Sequence, residues 1–194
     1  MNIQTIKIIV LLISAMIITS CDQDNKTATT TAIATNDICQ ILQNHNTWTK
    51  SLKESQNLYG ISPAFIMGLM RQESNFQSHA KNKTSSATGF SQALDNTWGS
   101  YQKSVSSSAN RTSFDDSAKF IGWYMSGMSK SINVKKTDYQ SLYLAYMMGP
   151  TGFKNYKKGT FKNKNNLKHF ISISKKVKSY TDTYQQQLRS CPIK

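Results

Sequence analysis

The sequence predicts a mainly α, compact domain with little or no sheet. Apolar residues recur at helical spacing along most of the chain, whereas the alternating pattern of strands is sparse. Residues that favour helix starts precede several of these stretches, and glycine or proline follows them. The 194 residues suffice for one domain with a sizeable core. We therefore expect about six or seven helices.

The predicted helices are delimited by residues that cap or break them. Apolar positions over 38–58 predict a first helix that ends at Gly60. Ser62 and Pro63 fit an N-cap with proline at the first helical position of a second helix, which ends near Glu73. A polar loop over 75–88, a short element over 89–94, a helix over 97–101 and a serine-rich loop over 104–108 are predicted next. Ser113 is expected to cap a helix that runs to Met128. A helix with a Thr137–Gln140 capping box should stop at Gly149–Pro150, and a long helix is predicted over 167–188.

The first twenty residues have the three regions of a signal peptide. Residues 1–7 form a short, positively charged segment, residues 8–18 are almost wholly apolar, and small residues precede Cys21. An apolar run of eleven residues is too short to cross a bilayer as a helix. We therefore expect residues 1–20 to be a signal peptide and the protein to be exported.

Residues 18–21 resemble a bacterial lipobox, which implies that Cys21 is lipidated and becomes the mature N-terminus. Two or more acyl chains would anchor the protein firmly to a membrane. The alternative is ordinary secretion with a chance cysteine. Residues 21–36 predict a flexible tether, because they are polar and show no periodicity. The folded domain is expected over 37–194, lipid-anchored in the cell envelope and facing the periplasm; Asp22 hints at the inner membrane, but either membrane stays open.

The remaining cysteines, Cys39 and Cys191, bracket the predicted domain. Compartments outside the cytoplasm permit disulfides, so we expect these two cysteines to be bonded; two buried free thiols are the alternative. Three cysteines exclude a disulfide-dense scaffold and a four-thiolate zinc site. No metal site is expected, since the histidines lack metal-ligand spacing; they are His45, His79 and His169.

Carboxylates are scarce, and the chain has only two glutamates, Glu54 and Glu73. Glu54 lies among lysines on a predicted helix and is most simply a solvated surface residue. Glu73 follows the apolar segment 65–70, at the end of a predicted buried helix and beside a polar loop. Burial there would raise its pKa and keep it protonated as a general acid. The alternative is a helix-end glutamate paired with Arg71 or a nearby lysine.

Three short segments carry a resemblance to a known family. They are Arg71-Gln72-Glu73-Ser74-Asn75-Phe76, Ser86-Ala87-Thr88-Gly89-Phe90-Ser91-Gln92 and Ala145-Tyr146-Met147-Met148-Gly149-Pro150. In this order they resemble the motifs of lytic transglycosylases of the soluble (SLT) type, relatives of goose-type lysozyme. The resemblance covers roughly residues 57–190 and implies a lysozyme-like helical domain with a cleft. The flanks at Cys39 and Cys191 also look like those of envelope lipoproteins in this family.

The resemblance implies an enzyme that cleaves the β-1,4 bond between N-acetylmuramic acid and N-acetylglucosamine of peptidoglycan and leaves 1,6-anhydro ends. It implies one acid/base, Glu73, and no metal or cofactor. Ser74 would order the loop around Glu73. Gln92 would contact the sugar chain or its peptide. Tyr146 would hydrogen-bond near Glu73 and orient it.

Aromatic side chains suit a sugar cleft, although at helical spacing most belong to the core. We expect Phe90 and Tyr146 to face the cleft. The other candidates are Trp98, Tyr101, Trp123 and Tyr143. The chain departs from the family pattern at Met147, which replaces an asparagine and cannot supply its hydrogen bonds. Ser91 and Ser78 replace the usual methionine and proline.

The chain is strongly basic, with 24 Lys and Arg against 10 Asp and Glu and a net charge of +14, which favours anionic partners. Residues 139–181 contain nine lysines and no acidic residue. This segment is either a solvated face or is attracted to peptidoglycan stem carboxylates or anionic lipid. We expect glycan strands and the membrane as partners, and no nucleic acid; an envelope machinery partner stays open. The alternatives to a lytic enzyme are a non-catalytic peptidoglycan-binding scaffold and a hydrolytic lysozyme.

Overall fold

The computed structural model describes residues 35–193, apart from the side chain of Lys164. Within this range it contains seven helices, and the only β structure there is a pair of isolated bridges, Lys81–Thr88 and Thr88–Ala93. The helices are α1 Ile38–Asn44, α2 Asn46–Tyr59, α3 Pro63–Ser74, α4 Asp95–Ser104, α5 Phe114–Ile132, α6 Tyr139–Lys157 and α7 Lys164–Gln187. The mainly α prediction is therefore confirmed.

Helix α3 lies at the centre of the core. Every residue from Pro63 to Met70 is buried, so this helix is covered on all sides rather than along one stripe. Helices α5 and α7 pack against α3, and α6 packs against both of them. Pro63 occupies the first turn of α3 as predicted, whereas Ser62 makes no side-chain capping hydrogen bond. The last turn of this buried helix carries Glu73.

The single helix predicted over 38–58 is two helices in the structure. Helices α1 and α2 meet at His45, whose backbone angles (φ −130°, ψ 66°) are not helical. The His45 ring stacks on Trp48 with centroids 4.1 Å apart, and Trp48 stacks on Phe114 of α5 at 3.9 Å. We attribute the break to this aromatic packing, which outweighs the continuous helical periodicity of the segment.

The boundaries of α5 and α6 partly differ from the prediction. Ser113 caps α5, because its side chain accepts a hydrogen bond from the Asp116 backbone N–H. The predicted capping box of α6 is wrong by one residue: Asp138 is the N-cap and accepts from the Ser141 N–H. The predicted stop at Gly149 is a kink (φ 71°, ψ 167°), after which the helix resumes at Pro150. Proline fits the start of the second segment, where an N–H would have no helical acceptor.

Covalent and polar contacts join the two ends of the domain. Cys39 and Cys191 form a disulfide, as predicted, with Cα atoms 5.8 Å apart. The Tyr184 hydroxyl donates to the Thr35 carbonyl, and Gln187 Nε2 donates to the Asn36 carbonyl at 2.9 Å. Residues 35 and 36, assigned above to the tether, are thus bound to α7.

The predicted signal peptide, the lipidation site at Cys21 and the rest of the tether lie outside the described residues. None of the helices in the described part of the chain has the length and apolar character that a membrane crossing requires.

Candidate active site

Glu73 lies at the end of α3, where the chain leaves the core. Asn75 and Phe76, with φ of 50° and 62°, turn the backbone away from the helix axis just after it. Glu73 is partly exposed, as are Arg71 and Gln72 in the same turn, whereas residues 63–70 of the helix are buried. Its Oε1 accepts a hydrogen bond of 2.6 Å from the hydroxyl of Tyr143 in α6. The carboxyl group is thus held by a neutral donor.

Burial dominates the electrostatics of Glu73 and raises its pKa from 4.5 to about 7. The Tyr143 hydrogen bond acts in the opposite direction, because it stabilises the carboxylate. Burial also raises the pKa of Tyr143, so this hydroxyl keeps its proton. A pKa near neutrality suits a group that first donates a proton and then accepts one.

The alternative pairing of Glu73 with Arg71 is not found. The Arg71 guanidinium instead donates to Asn36 Oδ1 and lies 3.8 Å from the centroid of the Tyr180 ring. No ion pair among the described residues involves Glu73; the ion pairs found there use the carboxylates of Glu54, Asp95, Asp115 and Asp182. Arg71 therefore ties α3 to α7 and the N-terminal segment, and leaves the pKa of Glu73 to burial.

Each other carboxylate in the described part of the chain has a cationic partner or a backbone N–H donor. Asp37 and Asp138 are helix N-caps, and Asp116 accepts from the Asn110 N–H. The remaining four form the ion pairs Glu54–Lys119, Asp95–Arg111, Asp115–Lys119 and Asp182–Lys178. Glu73 has neither kind of partner among the described residues, and burial raises its pKa, which is the property expected of a catalytic acid.

The loop 89–92 brings the three sequence motifs together around Glu73. Ser74 Oγ lies 2.9 Å from the Phe90 carbonyl, to which it donates. The Tyr146 hydroxyl donates to the Ser91 carbonyl at 2.5 Å. Gln92 Nε2 donates to the carbonyl of Gly89 at 2.9 Å, which folds the loop on itself. The end of α3 and the middle of α6 are thus fastened to one loop.

Residues 9–191 match the family described as the transglycosylase SLT domain. The chain belongs to this family. It is therefore a transglycosylase-type domain that acts on peptidoglycan. The curated proteins include no match to the chain.

Gly89 of the transglycosylase has a backbone that other residues rarely adopt, with φ of 77°. A Cβ atom at this position would lie 2.1 Å from the Arg111 carbonyl oxygen. The adjacent Phe90 N–H donates to that same oxygen at 3.3 Å. Only glycine fits here, because both the turn and the close approach of the 111 backbone exclude a side chain.

Two predicted site residues have other contacts than expected. Phe90 is 5% exposed and packs edge-on against Trp48 and Phe114, so its ring does not face a cleft. Tyr146 does not orient Glu73 by a hydrogen bond, since its hydroxyl is used by Ser91. That hydrogen bond comes from Tyr143, whose side chain is 2% exposed and packs in the core while its hydroxyl reaches Glu73. Tyr143 lies one helical turn before Tyr146, and this i, i+3 spacing is a signal that could have identified it from the sequence.

The other motif positions fit the predicted arrangement more closely. Ser74 is buried and holds the loop through Phe90. Gln92 is partly exposed, and its Oε1 has no hydrogen bond within the described range, so this oxygen is free for a ligand. Met147 is partly buried and packs against the core instead of presenting an amide.

A row of aromatic rings leads away from the carboxyl group of Glu73. Tyr143 stacks on Tyr146 at 6.0 Å, and Tyr146 meets Tyr124 edge-on at 5.7 Å. Beyond Tyr124 lies a largely apolar pocket of about 270 Å³, lined by Trp123, Tyr124, Gly127, Met128, Ser131 and Pro150. Tyr143 itself is 2% exposed, so the partly exposed residues of this row, on which sugar rings can stack, are Trp123, Tyr124 and Tyr146. No group of three or more metal-binding side chains suited to an ion occurs among the described residues.

Proposed function

We propose that this protein is a lytic transglycosylase that cleaves the β-1,4 bond between N-acetylmuramic acid and N-acetylglucosamine and leaves a 1,6-anhydro end. The observation that carries the proposal is the state of Glu73. Burial raises the pKa of this carboxyl group to about 7, and no cation pairs with it among the described residues. One group with these properties can act as both acid and base.

In the proposed first step, protonated Glu73 donates its proton to the glycosidic oxygen. The bond from this oxygen to C1 of the muramic acid then breaks, and its electron pair stays on the departing oxygen. The substrate's N-acetyl oxygen stabilises the positive charge at C1, which is a substrate-assisted route that needs no second protein carboxylate.

In the second step, ionised Glu73 accepts the proton of the 6-hydroxyl group while O6 bonds to C1. This closes the 1,6-anhydro ring and returns Glu73 to its acid form. The Tyr143 hydrogen bond supports both steps, since its donor can stabilise the carboxylate between them. Water enters neither step, which separates this reaction from that of a hydrolytic lysozyme.

Digestion of purified peptidoglycan tests the proposal. Mass spectrometry should find muropeptides that are one water lighter than the hydrolytic products. Glu73→Gln should fold and lose at least about 10²-fold in rate, whereas Glu54→Gln, which removes a surface carboxylate paired with Lys119, should stay near wild type. Reducing muramic acid as the main product would indicate a hydrolase, and no cleavage of intact sacculi would favour a binding scaffold.

We also propose that Cys21 carries lipid and holds the enzyme at a membrane facing the periplasm. The lipobox-like residues 18–21, directly after an apolar segment, support this location. Cys21→Ser should move the protein from the membrane fraction to the soluble envelope fraction. Unchanged membrane retention of this variant would place the anchor elsewhere.

A further inference from the structure

A separate cavity of about 580 Å³ lies between the α5–α6 connection and the C-terminal part of α6. Four lysines line it, and we call it the lysine pocket; they are Lys135, Lys154, Lys157 and Lys158. Neither Glu73 nor Tyr143 lines this cavity. Ser141 of α6 does, and two residues along a helix correspond to a rotation of about 200°. The lysine pocket and the Glu73 site therefore use opposite sides of α6.

The positive charge of the lysine pocket is not neutralised by the described protein. None of the ion pairs among the described residues involves these four lysines. The single carboxylate in the lining is Asp138, whose Oδ1 already accepts the Ser141 N–H as the α6 cap. Four ammonium groups at one concave surface create a positive potential that attracts anions more strongly than dispersed lysines do.

The remaining lining residues favour a peptide over an isolated phosphate. Ile132 and Phe153 contribute buried apolar surface, which suits short aliphatic side chains. The second oxygen of Asp138 and the Ser141 hydroxyl can accept amide N–H groups, which a peptide has and a phosphate lacks. The volume falls within the usual range for sites of small ligands.

We propose that the lysine pocket binds the carboxylates of peptidoglycan stem peptides, at a site distinct from Glu73. This inference rests on the proposed function, because peptidoglycan carries such peptides. The pocket holds a peptide-bearing strand on the enzyme while another part of the polymer reaches Glu73. Glycan strands without peptides lack this contact and bind more weakly.

A binding titration with the full-length protein tests the lysine pocket independently of glycan cleavage. The probe is a synthetic stem peptide with free carboxylates, and its amidated form is the control ligand. The variant Lys154→Gln/Lys157→Gln/Lys158→Gln removes three lining charges. The matched control Lys162→Gln/Lys168→Gln/Lys175→Gln removes three exposed lysines of the same basic segment that do not line the pocket.

We expect the pocket variant to bind the free-carboxylate peptide at least about tenfold more weakly, and the control variant to bind like wild type. On sacculi, the pocket variant should raise KM and keep kcat; on glycan strands stripped of peptides it should match wild type. Three results would overturn the proposal. The two variants could lose equal affinity for the free-carboxylate peptide, or the wild type could bind the amidated peptide as tightly as the free-carboxylate peptide. The wild type could also bind glycerol 3-phosphate, a phosphate probe, more tightly than the peptide. If wild type binds the peptide but cleaves neither substrate, the lysine pocket stands and the catalytic proposal fails.

Discussion

The Tyr143 hydroxyl donates a 2.6 Å hydrogen bond to Glu73 Oε1, and this contact links α6 to the end of α3. It opposes the effect of burial: burial raises the pKa of Glu73, the hydrogen bond lowers it, and the balance of the two is a pKa of about 7. The two residues are 70 positions apart in sequence. Tyr143 is therefore a positioning residue, which sets both the direction and the proton affinity of the carboxyl group.

The first prediction concerns the pH profile of Tyr143→Phe. In wild type, kcat/KM should fall above pH 7, because the acid form of Glu73 is consumed there. Without the hydrogen bond the carboxylate is less stable, so the pKa of Glu73 rises further. The alkaline limb should move up by about one pH unit, while the maximal rate falls because orientation is lost.

Tyr146→Phe is the matched control for that profile. It removes a hydroxyl one turn further along α6, which donates to Ser91 and not to Glu73. The alkaline limb should stay in place even if the loop 89–92 becomes less stable. A limb that shifts equally in both variants, or moves to lower pH in Tyr143→Phe, would refute the positioning role of Tyr143.

The second prediction links Glu73 to folding stability. Its pKa in the folded state, about 7, lies above the ordinary value of 4.5, so the folded state binds the proton more strongly. The resulting stabilisation is complete below pH 4.5 and is lost as the pH rises through 7. Since the side chain is partly exposed, we expect a loss of about 1–3 kcal/mol in the free energy of unfolding between these limits.

Urea unfolding of Glu73→Gln at pH 4.5 and at pH 8 measures this loss, because the amide is neutral at both. The variant should gain stability relative to wild type at pH 8, and gain little or nothing at pH 4.5. Glu54→Gln should keep the wild-type loss. If wild type and Glu73→Gln both become more stable between pH 5 and 8, and by the same amount, the pKa of Glu73 is not raised in the folded state.

Local signals predicted the parts of the fold that depend on local chemistry. Ser113 and Pro63 mark helix starts because capping and the missing proline N–H act within one turn. The break at His45 was not predictable in this way, since the stacking of Trp48 on Phe114 depends on residues 66 positions apart in the chain. Tertiary packing overrode a continuous helical pattern there.

In the candidate site, too, local sequence signals predicted some features, whereas tertiary packing determined the others. Glu73 could be found from sequence because it is a rare carboxylate at the end of an apolar helix and belongs to a segment that resembles a motif of the family. The residue that hydrogen-bonds to Glu73 depends on which face of α6 packs towards α3. The three sequence motifs do not encode this rotation of α6 about its axis. The burial of Phe90 likewise depends on tertiary packing, because its loop packs inward against the Trp48 ring.

The third prediction concerns the disulfide that joins α1 to the segment after α7. Replacing both Cys39 and Cys191 by serine should lower the free energy of unfolding by about 2–5 kcal/mol, since the bond closes a long loop of the unfolded chain. Activity below the melting temperature should persist, because neither cysteine contacts Glu73. Calorimetry of the oxidised protein and the double variant measures the shift, and equal melting temperatures would contradict it.

The last prediction tests how the loop 89–92 holds the active site. Gly89→Ala places a Cβ atom 2.1 Å from the Arg111 carbonyl oxygen, at a φ of 77° that alanine rarely adopts. The loop must shift, and its carbonyl contacts with Ser74 and Tyr146 shift with it. We expect a loss of about 2–4 kcal/mol in the free energy of unfolding and a clear fall in activity. Gly99→Ala is the control: a Cβ there meets no atom within 4 Å, and alanine favours the α4 helix by up to about 1 kcal/mol. If both variants unfold at the wild-type urea concentration with unchanged rates, the close packing of the loop against residue 111 does not hold the site.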